Sequence, residues 1–312
     1  MIPLRTLAPI LTSATPRRTA LAAGLALAGL ALAACQQDIT TANPVCVAAI
    51  CENFESNQLA SHWHASNSAR VSLSKEKVFS GRQALKVEAT GAGYNRSYLS
   101  LDLTPENGLD QPREIYGRMM MYLQGDNALG GDFTFLQADG PARATSGAPE
   151  NTVVNYRGRL DGRFDHFMGN YDTRIDADGD GKTEWLTDCW QHPDFEYSSA
   201  GAADNVAPAK PYLIPHDQWA CVQWHFNADQ NRLAFWLNGE ELSALTIDAN
   251  SGGTGDGCID PNTQAGVWTG PAYFSQLHIG AEQYHKTTLP RTLYIDNLAV
   301  GSSMPGCDAD AD

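Results

Sequence analysis

The stretch CVQWHFNADQNRLAFWLNGEEL, residues 221–242, carries the pattern that decides the fold. Polar and apolar residues alternate through CVQWHF and again through RLAFWL, and a period of two is that of a β-strand with one buried face. Asn238-Gly239 comes next, and Asn-Gly beside an alternating segment is a strong signal for a tight hairpin turn. The stretch therefore predicts antiparallel strands.

The same alternation recurs on both sides of this stretch, whereas no segment shows a convincing period near 3.6. Further alternating segments are ALKVEA (84–89), YLSLDL (98–103), IYGRMMMYL (115–123), DFTFLQA (132–138) and TLYIDNLAV (292–300). Short strands separated by Gly, Asn and Asp turns predict an all-β protein, a single-domain β-jelly-roll sandwich of the lectin and glucanase type. The segments rich in Gly, Ala and Asp are then expected to be loops that wall a binding site: 138–152, 196–210 and 248–264.

The N-terminus has the composition of an export signal. Three arginines precede the apolar run ALAAGLALAGLALAA (20–34), which is too short and too rich in Ala and Gly for a membrane-spanning helix. LAAC at 32–35 resembles the lipobox of bacterial lipoproteins, which predicts acylation of Cys35, with ordinary cleavage nearby as the alternative. We expect an exported protein of the bacterial cell envelope, or a secreted one, with this order: signal 1–34, tether 35–45, folded domain 46–307 and acidic tail 308–312.

Charge excludes some partners. Removal of the signal leaves 18 Lys and Arg against 36 Asp and Glu, a net charge near −18. Such a chain repels nucleic acid and anionic membrane surfaces, so we expect membrane contact only through the lipid anchor. An acidic substrate would need a locally basic cleft. YRGRLDGRFDHFMGNYDTR (156–174) holds four arginines, although pairing with Asp161 and Asp165 is an equally good interpretation.

Six cysteines follow Cys35: Cys46, Cys51, Cys189, Cys221, Cys258 and Cys307. An even number behind an export signal predicts three disulfides. The absence of any CxxC pair and the scattered histidines argue against a zinc site.

The segment DADGDGKTE (176–184) resembles a calcium loop. Asp176, Asp178, Asp180 and Glu184 fall at loop positions 1, 3, 5 and 9, but Thr187 stands where the bidentate glutamate is expected. A structural calcium ion and a solvated acidic hairpin tip are the two interpretations. In either interpretation the segment stabilises a loop and takes no part in catalysis.

Several pieces, taken in order, resemble one family: ENFES (52–56), VSLSKEKVFSGRQALKV (71–87), IYGRMMMYL (115–123), QWACVQWHFNADQNRLAFWLNGEEL (218–242), IGAEQYH (279–285) and LYIDNLAVGSSMPGC (293–307). They are similar to the core domain of polysaccharide lyase family 20, the glucuronan lyases, in particular its cellulose-induced fungal branch and bacterial relatives. The resemblance covers about residues 50–307. It implies a jelly roll of two antiparallel sheets, a saccharide cleft on the concave sheet, and a partner polysaccharide that contains uronic acid.

The resemblance also implies a disulfide between Cys221 and Cys307, which would leave Cys46 with Cys51 and Cys189 with Cys258. A structural cation site, which we take as calcium, would map to Glu55, Ser80 and Asp296. Ordinary turn polarity is the alternative for these three residues.

Cleavage of a polyuronate by β-elimination needs a group that neutralises the carboxylate, a base for the C5 proton and an acid for the leaving oxygen. The resemblance assigns the first role to Arg157 and proton transfer to Tyr284, for which a buried core tyrosine is the alternative. Asn155 stands where the family has a histidine and cannot act as a base, and Asp161 stands where it has a glutamine. His166 is the candidate replacement, with a surface histidine as the alternative.

Four further residues are candidates for substrate binding: Arg159, Arg163, Trp190 and Gln283. Aromatic residues near expected loops could stack on sugars, namely Trp190, Trp268, Tyr273 and Tyr284, whereas Trp219, Trp224 and Trp236 are expected in the core. The first hypothesis is a lyase for acidic polysaccharide. The second is a non-catalytic carbohydrate-binding lipoprotein on the same fold, and the third is a structural envelope protein.

Overall fold

The computed structural model describes residues 46–91, 93–125, 132–144, 151–160, 167–175, 184–191, 213–248, 270–284 and 290–307, without the side chains of 171–175, 184–191 and 244. The expected signal 1–34, Cys35, the tether and the acidic tail lie outside these residues. None of the helices in the described ranges is long and apolar enough to cross a membrane.

The regular secondary structure in the described part of the chain is almost entirely β-strand, with short 3₁₀ helices at Pro105–Asn107 and Ser243–Leu245. The strands are β1 (Ile50–Glu52), β2 (Trp63–Ala65), β3 (Val71–Ser74), β4 (Ala84–Ala89), β5 (Asn95–Asp102), β6 (Glu114–Leu123), β7 (Phe133–Pro141), β8 (Val153–Leu160), β9 (Phe167–Ile175), β10 (Glu184–Gln191), β11 (Trp219–Asn227), β12 (Arg232–Leu237), β13 (Glu240–Glu241), β14 (Gln276–Gln283) and β15 (Arg291–Gly301).

These strands form two antiparallel sheets. Sheet A has the order β13-β12-β11-β6-β15-β4-β3, with β1 also paired to β15, and sheet B has the order β10-β9-β8-β7-β14-β5-β2. Neighbouring strands in the sheets are often far apart in sequence, for example β5 and β14, as a jelly roll requires. The predicted all-β jelly-roll sandwich is confirmed.

The alternation seen in the sequence decides which side chains form the core. Leu99 and Leu101 of β5 are at most 1% exposed and pack in the same cluster as Leu277 and Ile279 of β14. Because successive side chains on a strand point to opposite faces, the polar residues between them lie on the other face of sheet B. We call this surface the open face.

The stretch 221–242 folds as predicted. Asn238 and Gly239 both have positive φ, 52° and 83°, which is the conformation that a tight hairpin turn needs. The Asn238 side chain accepts a hydrogen bond from the backbone N–H of Cys221 at 2.9 Å. Trp224 is fully buried, whereas Trp219 and Trp236 are only partly buried, so the expectation that both lie in the core is wrong. Trp236 alternates with two inward-facing neighbours and therefore lies on the outer side of sheet A.

Two disulfides lie among the described residues. Cys221 bonds Cys307, as the resemblance implies, and Cys46 bonds Cys51. The remaining expected pair involves Cys258, which lies outside the described residues. The loop expected at 138–152 starts later than predicted, since β7 continues to Pro141, where it pairs with Val153 of β8.

Gly117 of β6 lies directly under the Trp224 ring. A Cβ atom at this position would lie 2.0 Å from the indole, so Gly117→Ala forces the largest core side chain to move. We expect the free energy of unfolding to fall by about 3 kcal/mol, as for other overpacked cores. Urea unfolding measures this change. Gly306→Ala is the control, because a Cβ there meets nothing within 4 Å. Equal stability of both variants would contradict the assigned packing.

Candidate functional site

The open face of sheet B brings together polar residues from four neighbouring strands. Leu277, Ile279 and Ala281 of β14 point into the core, so His278 and Glu282 point to the open face. The antiparallel register then sets their neighbours, because Glu282 lies opposite Arg96 of β5 and Thr134 of β7. Arg157 and Arg159 come from β8.

Three tyrosine hydroxyls converge on the carboxylate of Glu282. The hydroxyl of Tyr94 donates to Oε1 at 2.6 Å, and those of Tyr98 and Tyr284 donate to Oε2 at 3.2 and 2.9 Å. Only 1% of the Glu282 side chain is exposed. A buried carboxylate is tolerated where its oxygens accept hydrogen bonds in this way.

Two arginines complete the surroundings of this carboxylate. Nε of Arg96 donates a hydrogen bond to Oε1 of Glu282, and a terminal nitrogen of Arg157 lies 3.9 Å from Oε2. We call this group of residues the Glu282 cluster: Glu282, Arg96, Arg157, Tyr94, Tyr98 and Tyr284. Burial alone would raise the pKa of Glu282, but the charges of Arg157 and Arg96 and the hydrogen bonds outweigh it and lower the pKa to about 2. The carboxylate is therefore ionised at neutral pH.

Arg157 is a buried member of the Glu282 cluster. It is 2% exposed, its Nε donates to Oε1 of Gln137 at 2.7 Å, and a terminal nitrogen lies 3.4 Å from Oδ1 of Asn170. The structure thus holds the guanidinium rigidly and joins it to Glu282. Arg157 and Tyr284 lie on the same face and share Oε2 of Glu282 as a partner.

Tyr284 is partly buried between charged groups. Its oxygen lies 2.7 Å from Oγ1 of Thr134, and the Arg159 guanidinium lies over its ring at 4.5 Å. Burial raises the pKa of Tyr284, and the negative charge of Glu282 acts in the same direction, against the two arginines of β8. The hydroxyl is therefore protonated at neutral pH and can serve as a proton donor.

The other expected site residues are placed differently. Gln283 is buried, and its Oε1 accepts from the backbone N–H of Gly91, so it anchors the segment before β5. Arg159 pairs with Asp132 at 3.3 Å. His166, Arg163, Asp176, Asp178 and Asp180 lie outside the described residues. Trp190 and Glu184 lie on β10, where only the backbone is described.

A cleft of about 760 Å³ adjoins the Glu282 cluster on the open face. Its lining includes Arg96, Tyr98, Asp139, Asn155, Tyr273 and His278. Arg96 and Tyr98 belong to both the cleft and the cluster, and 36% of the Arg96 side chain is exposed. The cleft thus offers a guanidinium, an aromatic ring and several hydrogen-bonding groups to a ligand.

Sequence reasoning missed several residues of this site, namely Arg96, Tyr98, Asp139, His278 and Glu282. A signal for most of them was present in NRSYLSLD and QLHIGAEQ. In both segments, residues that point into the core alternate with residues on the open face, and most of the latter are polar or aromatic.

The residues of the expected cation site lie close together, at Asp296 on β15 and in two loops that pack beside it. Asp296 is fully buried, and its Oδ2 accepts from the backbone N–H groups of Phe79 and Ser80 at 3.0 and 3.2 Å. Burial raises the pKa of Asp296 to about 6, and the charge of Glu55 adds to this effect. Glu55 Oε1 accepts from the backbone N–H groups of the adjoining turn. Nowhere in the described ranges do three or more His, Cys, Asp or Glu residues form a group that could hold a metal.

Comparison with known proteins shows the fold but no sequence family. No protein-family model and no curated protein sequence matches the chain. A solved endo-β-1,4-glucuronan lyase from the fungus Trichoderma reesei is similar, with a TM-score of 0.54, 13% identity, and coverage of 85% of this chain and 100% of that one. The cellulose-induced protein Cip1 has a TM-score of 0.50 and 21% identity, over 83% of this chain and 100% of that one.

The Glu282 charge stabilises the fold, and Glu282→Gln tests its contribution. The lowered pKa means that the contribution is complete above the ordinary pKa of 4.5 and is lost as pH falls through about 2. We expect the variant to lose roughly 3 kcal/mol of unfolding free energy at neutral pH. The difference from the wild type should shrink steadily as pH falls from 4.5 towards 2.

Urea unfolding at a series of pH values measures this difference. Glu240→Gln is the matched control, because Glu240 is exposed on β13. A difference between wild type and Glu282→Gln that is independent of pH would show that shape, and not charge, is responsible.

Proposed function

We propose that this protein binds acidic polysaccharide in the cleft on the open face and cleaves it by β-elimination. The observation that carries the proposal is the Glu282 cluster, in which two arginines and three tyrosine hydroxyls converge beside the cleft. The whole chain has a net charge of −15, so it repels a polyanion unless cations are concentrated at the site of contact. The fold supports the proposal, since one similar structure is a glucuronan lyase.

Arg96 is the arginine best placed to meet the substrate carboxylate. It lines the cleft and is 36% exposed on its side chain, whereas Arg157 is buried and engaged with Gln137. A planar guanidinium suits a carboxylate, and neutralising that carboxylate makes the neighbouring C5 proton easier to remove. In this proposal, Arg157 is a positioning residue that fixes Glu282, and Glu282 fixes Arg96.

The reaction removes the C5 proton, forms a double bond between C4 and C5, and breaks the bond from C4 to the glycosidic oxygen. That oxygen must gain a proton, and the protonated hydroxyl of Tyr284 can provide it. Asn155 lines the cleft but cannot accept a proton. An imidazole would act as the base. His278 lines the cleft, but its two ring nitrogens are engaged with Asp139 and Ser100, so the candidate is His166, which lies outside the described residues.

Non-catalytic binding of acidic polysaccharide is the second candidate function. Two observations favour it: Asn155 replaces the histidine that the resemblance leads one to expect, and Arg157 already has a carboxylate partner in Glu282. The same cleft would then bind its ligand without proton transfer.

Tyr284→Phe separates the two candidates. Wild type is expected to raise the ultraviolet absorbance of unsaturated uronate when incubated with glucuronan or another polyuronate. The variant keeps the ring under Arg159 but loses the hydroxyl, so kcat should fall by roughly a hundredfold or more while binding is retained. Absorbance assays and calorimetry measure the two quantities.

Tyr116→Phe is the matched control, because it removes a hydroxyl from the other sheet, where Tyr116 stacks on His225. Its activity should equal that of the wild type. If the wild type binds glucuronan or alginate but the ultraviolet absorbance does not rise with either polymer, the second candidate is supported. The absence of both binding and cleavage would contradict the proposal.

We also propose a structural calcium ion near Asp296. Glu55 and Asp296 supply carboxylates, and Ser80 and Asn297 supply a hydroxyl and an amide oxygen that lie 2.9 Å apart. Calcium takes six to eight oxygen ligands, so these groups fit part of such a site. A cation there would offset the burial of Asp296 and its repulsion by Glu55.

Calorimetry with calcium and with a chelator tests this ion. The melting temperature should rise with calcium, and Glu55→Gln should abolish the rise, because a ligand that binds only the folded state stabilises it. Asp178→Asn is the comparison. Loss of the rise in Asp178→Asn alone would assign the ion to the loop 176–184, and no rise in wild type would contradict calcium binding.

A further inference from the structure

The two ends of the cleft carry opposite charge. Arg96 lies at one end, beside the Glu282 cluster, and Asp139 lines the other end. We propose that the cleft recognises a polymer in which uronic acid alternates with an uncharged sugar, with a uronate carboxylate at Arg96 and, further along the polymer, hydroxyls of an uncharged sugar at Asp139. This rests on the proposed binding of acidic polysaccharide and names its substrate class.

The carboxylate of Asp139 is held in a fixed position. Its Oδ2 accepts from Nε2 of Gln137 and from Nε2 of His278, both at 3.0 Å. Nδ1 of the same ring lies 2.7 Å from the hydroxyl of Ser100, so the imidazole is held on both sides. These side chains from three neighbouring strands orient one carboxylate, as a preorganised binding group requires.

The other oxygen of Asp139 can accept hydrogen bonds from a ligand. Oδ1 makes no hydrogen bond within the described ranges, the side chain is 13% exposed, and the residue lines the cleft. A carboxylate accepts but does not donate, so it pairs with sugar hydroxyls and repels a uronate carboxylate.

The two ends are far enough apart to contact different sugar rings. Arg96 lies opposite Glu282, and Ser100 lies opposite His278, four residues earlier on β14. Four residues of strand span roughly 13 Å. Tyr98 lies between the ends, since its ring is 5.4 Å from that of His278 and its hydroxyl reaches Glu282.

Tyr273 lies near the Asp139 end of the cleft. It lines the cleft, and its carbonyl lies so close to Gly140 that a Cβ there would be 1.8 Å away. An aromatic ring beside a fixed carboxylate is suited to the apolar face and the hydroxyls of an uncharged sugar. A polymer of uronic acid alone would instead bring a carboxylate to Asp139.

Calorimetry with two oligosaccharides of equal length tests the inference. One is oligoglucuronan, and the other is a hyaluronan oligosaccharide, in which glucuronic acid alternates with N-acetylglucosamine. The mature Tyr284→Phe protein is used so that neither is cleaved. We expect the alternating oligosaccharide to bind about tenfold more tightly, and Asp139→Asn to bring the ratio close to one by strengthening oligoglucuronan binding.

Asp217→Asn is the matched control, because it removes the same charge from an exposed position before β11 of sheet A, where Asp217 accepts from the backbone N–H of Gly125. It should leave the ratio unchanged. Added salt should reduce the preference of the parent protein, since the discrimination is electrostatic, and this measurement does not depend on the folding of a variant. Equal binding of both oligosaccharides, or a ratio that neither Asp139→Asn nor salt changes, overturns this inference but leaves the proposed function intact. Binding of neither, together with no lyase activity, overturns the proposed function.

Discussion

An ionised carboxylate buried in a β-sandwich must be compensated by neighbouring groups, and Glu282 imposes this requirement on the open face of sheet B. The compensation comes from Arg96 and Arg157 and from the hydroxyls of three tyrosines on or next to β5 and β14. Losing any one of these partners leaves part of a buried charge uncompensated, so their positions are coupled. The functional groups of the site are thereby fixed before any ligand arrives.

The need to compensate the charge of Glu282 gives the two arginines different roles. Arg157 is buried and held by Gln137 and Glu282, so its charge acts through the cluster. Arg96 is tied to Glu282 by one nitrogen and is partly exposed in the cleft. A rigid guanidinium at the surface loses little conformational freedom when it binds a carboxylate. The charge of Glu282 also raises the pKa of Tyr284 and so favours its protonated form.

Much of the fold was predictable because the alternation of polar and apolar residues in segments such as YLSLDL indicates which face of each strand is buried. The hairpin turn at Asn238-Gly239 was predictable for the same local reason. The site was predicted only in part: Arg157 and Tyr284 do share one face of sheet B, but Glu282 and Arg96 were not identified. Their pairing depends on the register between β5 and β14, which are distant in sequence, and alternation fixes the face of a residue but not its cross-strand neighbour.

We expect acidic polysaccharide to bind across β5, β7 and β14 with a uronate carboxylate on Arg96. The most direct measurement is a crystal structure of the Tyr284→Phe protein with a bound uronic-acid oligosaccharide. The saccharide should lie along the open face, with one carboxylate within hydrogen-bond distance of the Arg96 guanidinium. A saccharide bound elsewhere on the protein, or one whose carboxylates all lie away from Arg96, would contradict this expectation.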